Sequence, residues 1–282
     1  MEISLITINI FADRMGDLKN PDRKKSEARY YEVLNLAKEA GYPYIDMCYW
    51  EVEALGFDFV KNAIEKTGLA VNAVTYFVEM QEEEALLMAN AKQILENIRA
   101  LGAKHVTYVL LPSEKMQREG REALYQYSVK NLQPLCLYAE EIGLVSSLEN
   151  SPDIGMPLAR VSELKRLFAE VPALCLAYDS FNMQVVSEEP AAYLDAFGKN
   201  IANVHLKDGT YVSQPSRFSN DTADGRLIAA SPSGKGLADF PWLFDRFRAL
   251  GYDAAAAVEF MPGGGDLLSE LREAREYFES LM

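Results

Sequence analysis

Four apolar runs in this 282-residue chain each end on a side chain able to bind a metal ion or move a proton. Leu144–Glu149 delivers Glu149, and Ala173–Asp179 delivers Asp179. Asn203–Asp208 delivers His205 followed by Lys207 and Asp208, and Ala255–Glu259 delivers Glu259. Each run is short and flanked by turn signals, the pattern of a buried strand. Three carboxylates and one imidazole suit a divalent cation that prefers oxygen, Mn²⁺ or Mg²⁺ first, with Co²⁺ and Zn²⁺ admissible. One solvated carboxylate at a strand end would be unremarkable. Four such side chains on consecutive strands, including one of only two histidines in the chain, point to a site.

The elements that must position them alternate along the whole chain. The pattern predicts strand one over Ile3–Ile10 and a helix over Pro21–Ala40 stopped by Gly41. Strand two over Pro43–Met47 precedes a helix over Phe57–Lys66 that Gly68 closes, and strand three over Leu69–Tyr76 precedes a helix ending at Gly102. Strand four over His105–Leu111 leads to a helix over Glu119–Ile142 with an inward stripe of Leu124, Ser128, Leu132, Leu135 and Ala139. Strands five and six end at Glu149 and Asp179, separated by a helix over Leu158–Ala169. A short helix over Pro190–Phe197 precedes strand seven. Gly209–Ala238, rich in Ser, Asp, Gly and Pro, reads as one long irregular connection, of the kind that covers a site. A helix capped by Asp239 and stopped by Gly251, strand eight to Glu259 and a last helix over Leu267–Leu281 complete the chain. Eight strand–helix alternations with no composition break predict a single (β/α)8 TIM barrel spanning 1–282. No G-x-G-x-x-G fingerprint follows strand one, which removes the main support for a dinucleotide-binding sheet.

Composition bounds the function. Hydrophobic residues make up 49% and charged residues 25% of the chain, as in globular proteins. The formal net charge of −14 opposes a grip on a phosphate backbone, so nucleic acid is not expected as a partner. Cys48, Cys136 and Cys175 are widely spaced, which fits reduced thiols rather than a disulfide frame. No basic leader precedes strand one, and no run reaches the ~18 apolar residues of a membrane helix. The expectation is a cytoplasmic protein that acts on a small molecule without a membrane, and homo-oligomerisation stays open.

The chain resembles the xylose isomerase-like TIM-barrel superfamily, also described as sugar phosphate isomerases/epimerases and AP endonuclease family 2. The resemblance spans the chain. Its most specific parts are Ser147–Asn150, Asp179–Asn182, Val204–Asp208, Gly234–Phe240, Gly251–Asp253 and Val258–Glu259. It implies that Glu149, Asp179, His205 and Glu259 hold one divalent metal, Mn above Mg, Co or Zn. It also implies that Glu149 and Glu259 are the catalytic acid and base, working on opposite faces of a keto sugar. Asn182 stands where family epimerases often carry histidine, so that contact becomes a neutral amide. Lys207 and Arg217 join Asn182 as candidate substrate contacts. Trp50, Tyr76 and Phe11 are candidate walls of the pocket, and His105 begins its strand at the end of the barrel away from catalysis.

The chemistry is coherent on its own terms. A proton next to a carbonyl is removable once the developing enediolate is stabilised, which a chelated divalent cation does. Return of the proton on the opposite face epimerises, return at the neighbouring carbon isomerises, and loss of a β-hydroxyl dehydrates. The leading expectation is therefore an isomerase or epimerase of a small keto sugar or sugar phosphate. A dehydratase of the inosose or dehydroshikimate type is the alternative on the same site. A non-catalytic sugar-binding barrel is disfavoured, because three clustered carboxylates repel each other without a function to keep them. The DNA-repair branch needs several more histidines than His105 and His205.

Overall fold

In the computed structural model, which describes residues 1–11, 14–216 and 219–282, eight parallel strands close into a barrel. They are β1 (Glu2–Ile6), β2 (Tyr44–Cys48), β3 (Ala70–Glu79), β4 (His105–Leu111), β5 (Val145–Glu149), β6 (Leu174–Asp179), β7 (Ile201–Leu206) and, last in the chain, β11 (Ala255–Val258). Between β7 and β11 lie β8 (Asp208–Tyr211), β9 (Ser219–Asp221) and β10 (Leu227–Ser231). The barrel order is β1-β11-β7-β6-β5-β4-β3-β2, with parallel pairing throughout, which is the topology of a single (β/α)8 barrel.

The helices bury one face each against the strands. Arg121–Glu141 buries Leu124, Ser128, Leu132, Leu135 and Ala139, the stripe its periodicity predicts. Phe240–Leu250 begins where the Asp239 carboxylate accepts from the Trp242 N–H at 3.0 Å and ends at Gly251, whose φ of 72° is left-handed. Pro190–Phe197 matches its predicted span.

Short helices at Arg14–Leu18, Trp50–Leu55 and Glu114–Arg118 add to the expected elements, and two further stretches differ from expectation. Strand one ends at Ile6, and Thr7–Ile10 turns into a 3₁₀ helix. The apolar residues Ile8 and Ile10 are buried there too, so hydrophobicity alone could not separate turn from strand. The connection from Gly209 to Ala238 is not irregular: β8, β10 and β9 form an antiparallel sheet. That sheet rests on the loop after β6, where Phe181 and Val185 pack against Ile228 and Tyr211. Gly209 is required at this contact, since a Cβ there would lie 2.0 Å from the Phe181 ring.

The centre of the barrel is polar. Ser4 donates to Asp46 at 2.5 Å, Asn72 and Asn203 donate to the same carboxylate at 2.9 and 3.0 Å, and Thr107 bonds Ser147 at 3.0 Å. These side chains share a face with the residues two positions further along their strands, so Ser147 lies below Glu149 and Asn203 below His205.

Candidate metal and substrate site

Glu149, Asp179, His205 and Glu259 come together at the mouth, with one potential ligand atom from each lying within 4.8 Å of the others. Glu149 and Asp179 end β5 and β6, His205 sits next to last on β7, and Glu259 follows β11 directly. Their strands are neighbours in the ring, so the convergence follows from the topology.

The surrounding polypeptide fixes each carboxylate by one oxygen. Asp179 Oδ1 accepts the backbone N–H groups of Phe181 and Asn182 at 2.8 and 2.7 Å. Glu149 Oε1 accepts from Asn182 Nδ2 at 2.6 Å. Asn150 clamps the two strand ends together by accepting from the Asp179 N–H at 2.8 Å and donating to its carbonyl at 3.3 Å. Glu259 accepts from Lys207 Nζ at 2.8 Å and is hydrogen-bonded by Asn9. His205 Nε2 lies 3.2 Å from Asn203 Nδ2, which also donates to Asp46. Asp179 Oδ2 and His205 Nδ1 are buried without a well-formed hydrogen bond, their nearest opposite charges being Lys207 Nζ at 4.0 Å and Glu149 Oε2 at 3.5 Å.

Electrostatics follow from crowding. Burial, reinforced by the charges of Glu259 and Glu149 and opposed by Lys207, raises Asp179 to about 8. Burial works against a charged His205, yet the carboxylates of Glu149, Glu259 and Asp46 outweigh it and lift the imidazole to about 9. Burial also opposes ionisation of Glu259, but Lys207 and His205 hold it below the usual carboxylate value. Lys207 is likewise raised by its acidic neighbours despite its burial, so it stays an ammonium.

This donor set fits a divalent cation. Two buried ligand atoms without a well-formed hydrogen bond, beside two further carboxylates within 4.8 Å, are what a hard cation would satisfy and what a protein rarely leaves so.

A cavity of about 260 Å³ opens onto the cluster, lined by Glu149, His205, Lys207 and Glu259. Its other walls come from β1 to β4 and the loop after β5. Phe77 lines it, stacked on Trp50 with ring centroids 3.9 Å apart. Trp50 thus supports the wall without forming it, and Tyr76 and Phe11 do not line this cavity. No described residue of the Gly209–Ala238 connection lines it either, so the covering role expected of that segment finds no support.

The remaining candidates separate clearly. Lys207 faces the cavity and pairs with Glu259 rather than with Asp208. Asp208 accepts the N–H groups of Gly209, Gly236 and Ala238 at 2.8, 2.8 and 3.1 Å and so organises the loop before Phe240–Leu250. Asn182 is buried behind Glu149 and does not line the cavity. Arg217 lies outside the described residues. His105 begins β4, away from the cluster. Sequence reasoning missed Asn9, Phe77 and the Asp46–Asn203–His205 chain. Only Asn203 carried a signal, since a residue two before His205 on a strand must share its face.

A family model described as xylose isomerase-like TIM barrel matches residues 34–281. The chain belongs to this family. Among solved xylose isomerase-like structures, a TIM-barrel protein from Mycobacterium smegmatis in complex with magnesium is 17% identical, with TM-score 0.73 over 99% of this chain and 96% of that one. The probable 3-DHS dehydratase of petrobactin synthesis from Bacillus anthracis is 13% identical, with TM-score 0.71 over 99% of each chain. D-allulose 3-epimerase from Methylomonas sp. in complex with D-allulose is 16% identical, with TM-score 0.71 over 100% of this chain and 97% of that one. At these identities the likeness speaks for the xylose isomerase-like fold. A search of curated proteins found no match. Among the described residues no helix is long and apolar enough to cross a membrane, and Cys48, Cys136 and Cys175 are thiols.

Proposed function

We propose that the chain is a divalent-metal-dependent isomerase or epimerase of a small ketone of the sugar or polyol class. The observation that carries this reading is the convergence of Glu149, Asp179, His205 and Glu259, with Asp179 Oδ2 and His205 Nδ1 buried without a well-formed hydrogen bond. These four would hold the cation, Mn²⁺ by preference and Mg²⁺, Co²⁺ or Zn²⁺ as substitutes. Bound there, it would serve as a Lewis acid that offsets the charge developing on the carbonyl oxygen.

The protein's own groups account for the rest. Glu149 and Glu259 come from strands separated in the ring by β6 and β7, so they approach a bound ketone from different sides. One takes the proton next to the carbonyl, and the other returns a proton to the opposite face or to the neighbouring carbon. Asn182 holds Glu149 by one oxygen and leaves the other facing the cluster. Lys207 keeps Glu259 ionised and therefore able to accept a proton. Asp179 and His205 would serve as ligands, a bound cation displacing the protons that their raised affinities hold in its absence. The fold neighbours named as an epimerase and a dehydratase fit chemistry that branches after proton removal.

The test loads the protein with Mn²⁺ and screens ketoses, ketose phosphates and inososes for solvent deuterium at the α-carbon, with products identified by NMR. An epimer or isomer supports the reading, and a dehydrated product moves it to the lyase alternative. Glu149→Gln and Glu259→Gln should each lose about 10²–10⁴-fold in exchange while retaining metal by elemental analysis. Near wild-type exchange in both metal-loaded variants would refute the two-glutamate scheme.

A further inference from the structure

The mouth of the barrel has two contrasting arcs. Strands β5, β6, β7 and β11 contribute Glu149, Asp179, His205 and Glu259, and these strands are contiguous in the ring. The other contiguous arc, β1 to β4 with the turn after β1, lines the cavity mainly with Ile6, Ile8, Cys48, Phe77 and Val109; its polar side chains are Thr75 and Asn9, and Asn9 bonds Glu259. Pro152, Met156 and Leu158, from the loop after β5, extend the apolar wall, and Ser151 adds one hydroxyl just after Glu149 in the chain. Phe77 is braced by its stack on Trp50, so the wall is a packed surface.

Nothing charged answers an anion on that side. Among the described residues, Lys207 and His205 are the basic side chains lining the cavity, and both are engaged: the Lys207 ammonium by Glu259 at 2.8 Å with Asp179 at 4.0 Å, and His205 Nδ1 by Glu149 at 3.5 Å. The glycine-rich stretch after the last strand, where barrels often bind phosphate, is committed elsewhere. Glu270 accepts the Gly263 and Gly265 N–H groups at 2.8 and 2.5 Å, so a carboxylate already holds the backbone donors a phosphate would need.

We propose that the substrate is an uncharged α-hydroxy ketone whose end remote from the carboxylates is apolar, a deoxy, alkyl or aryl terminus, and that phosphorylated sugars are excluded. This rests on the metal-dependent ketone chemistry proposed above. A hydroxyl set against Phe77 or Val109 gives up its hydrogen bonds to water with no partner in return, and a phosphate dianion gives up more. A methylene at the same place gains about fourfold in affinity.

Three ketones with the same first three carbons test this: D-fructose, D-fructose 6-phosphate and the 5,6-dideoxy analogue of fructose. Binding to the Mn²⁺-loaded protein is measured by calorimetry, and solvent deuterium exchange is followed separately. The dideoxy ketone should bind about tenfold or more tighter than fructose, from two positions at about fourfold each. The phosphate should bind more weakly than fructose. Val109→Thr, which places a hydroxyl on the apolar arc at nearly constant volume, should narrow the ratio between the dideoxy ketone and fructose. Wild-type protein that binds fructose or its phosphate as tightly as the dideoxy ketone overturns the proposal, as does failure to bind all three. The predicted order of binding without deuterium exchange supports the substrate class and refutes the proton-transfer reading. Exchange with the order reversed does the opposite.

Discussion

Glu51 is a carboxyl group sealed inside the protein without a cation. It lies in the first turn of the helix Trp50–Leu55 and is 0% exposed. Its Oε1 accepts from Thr7 Oγ1 at 2.7 Å and from the Cys48 N–H at 3.1 Å, while Oε2 is buried without a well-formed hydrogen bond. Burial outweighs these hydrogen bonds and raises its pKa from 4.5 to about 7. The folded state therefore holds the proton more tightly than the unfolded chain. The stability this contributes is fully present below pH 4.5 and is lost as pH rises through about 7. The gap between 4.5 and about 7 corresponds to ~3 kcal/mol at 1.36 kcal/mol per pH unit. Glu51→Gln keeps the shape and removes the titration. Thermal midpoints of wild type and variant, measured side by side in EDTA from pH 4.5 to 8, should diverge in favour of the variant as pH rises. At about 2.1 cal/mol/K per residue, the unfolding entropy of 282 residues turns ~3 kcal/mol into a relative shift of about 5 °C. All other titrating groups cancel in the difference. A difference that stays flat within about 1 °C across this range would refute the argument, since it would mean that Glu51 has the same proton affinity folded and unfolded.

Two further outcomes test the scaffold around the site. Gly209→Ala forces a methyl to within 2.0 Å of the Phe181 ring and 2.7 Å of the Ala229 carbonyl, so it should cost about 1–3 kcal/mol in denaturant titration, as overpacking does. An unchanged midpoint would show that the sheet of β8, β9 and β10 does not rest on Phe181 in solution. Asp239→Ala removes the acceptor for the Trp242 N–H and should lower stability by about 1 kcal/mol, whereas Asp239→Asn should recover most of it. Equal losses in the two variants would mean that the cap is not the reason for the residue.

The barrel was legible in the sequence because its signals are local. Apolar runs, Asp239 before Phe240 and Gly251 after Leu250 each specify their own element, and eight alternations allow few topologies. The cluster was legible for a related reason. In a parallel barrel all strands point the same way, so side chains at the ends of four neighbouring strands meet without any further information. The sheet between β7 and β11 was hidden, because Ser219–Asp221 and Asp208–Tyr211 are short and polar and become strands only by pairing with Leu227–Ser231. Tertiary structure alone decided what each polar group is for. Lys207 turned to Glu259 and left Asp208 to three backbone N–H groups, and Asn182 turned behind Glu149. Glu270 took the Gly263 and Gly265 donors, and Phe77 rather than Tyr76 took the wall. Those assignments depend on which partner lies within about 3 Å, a distance that spacing along the chain does not encode.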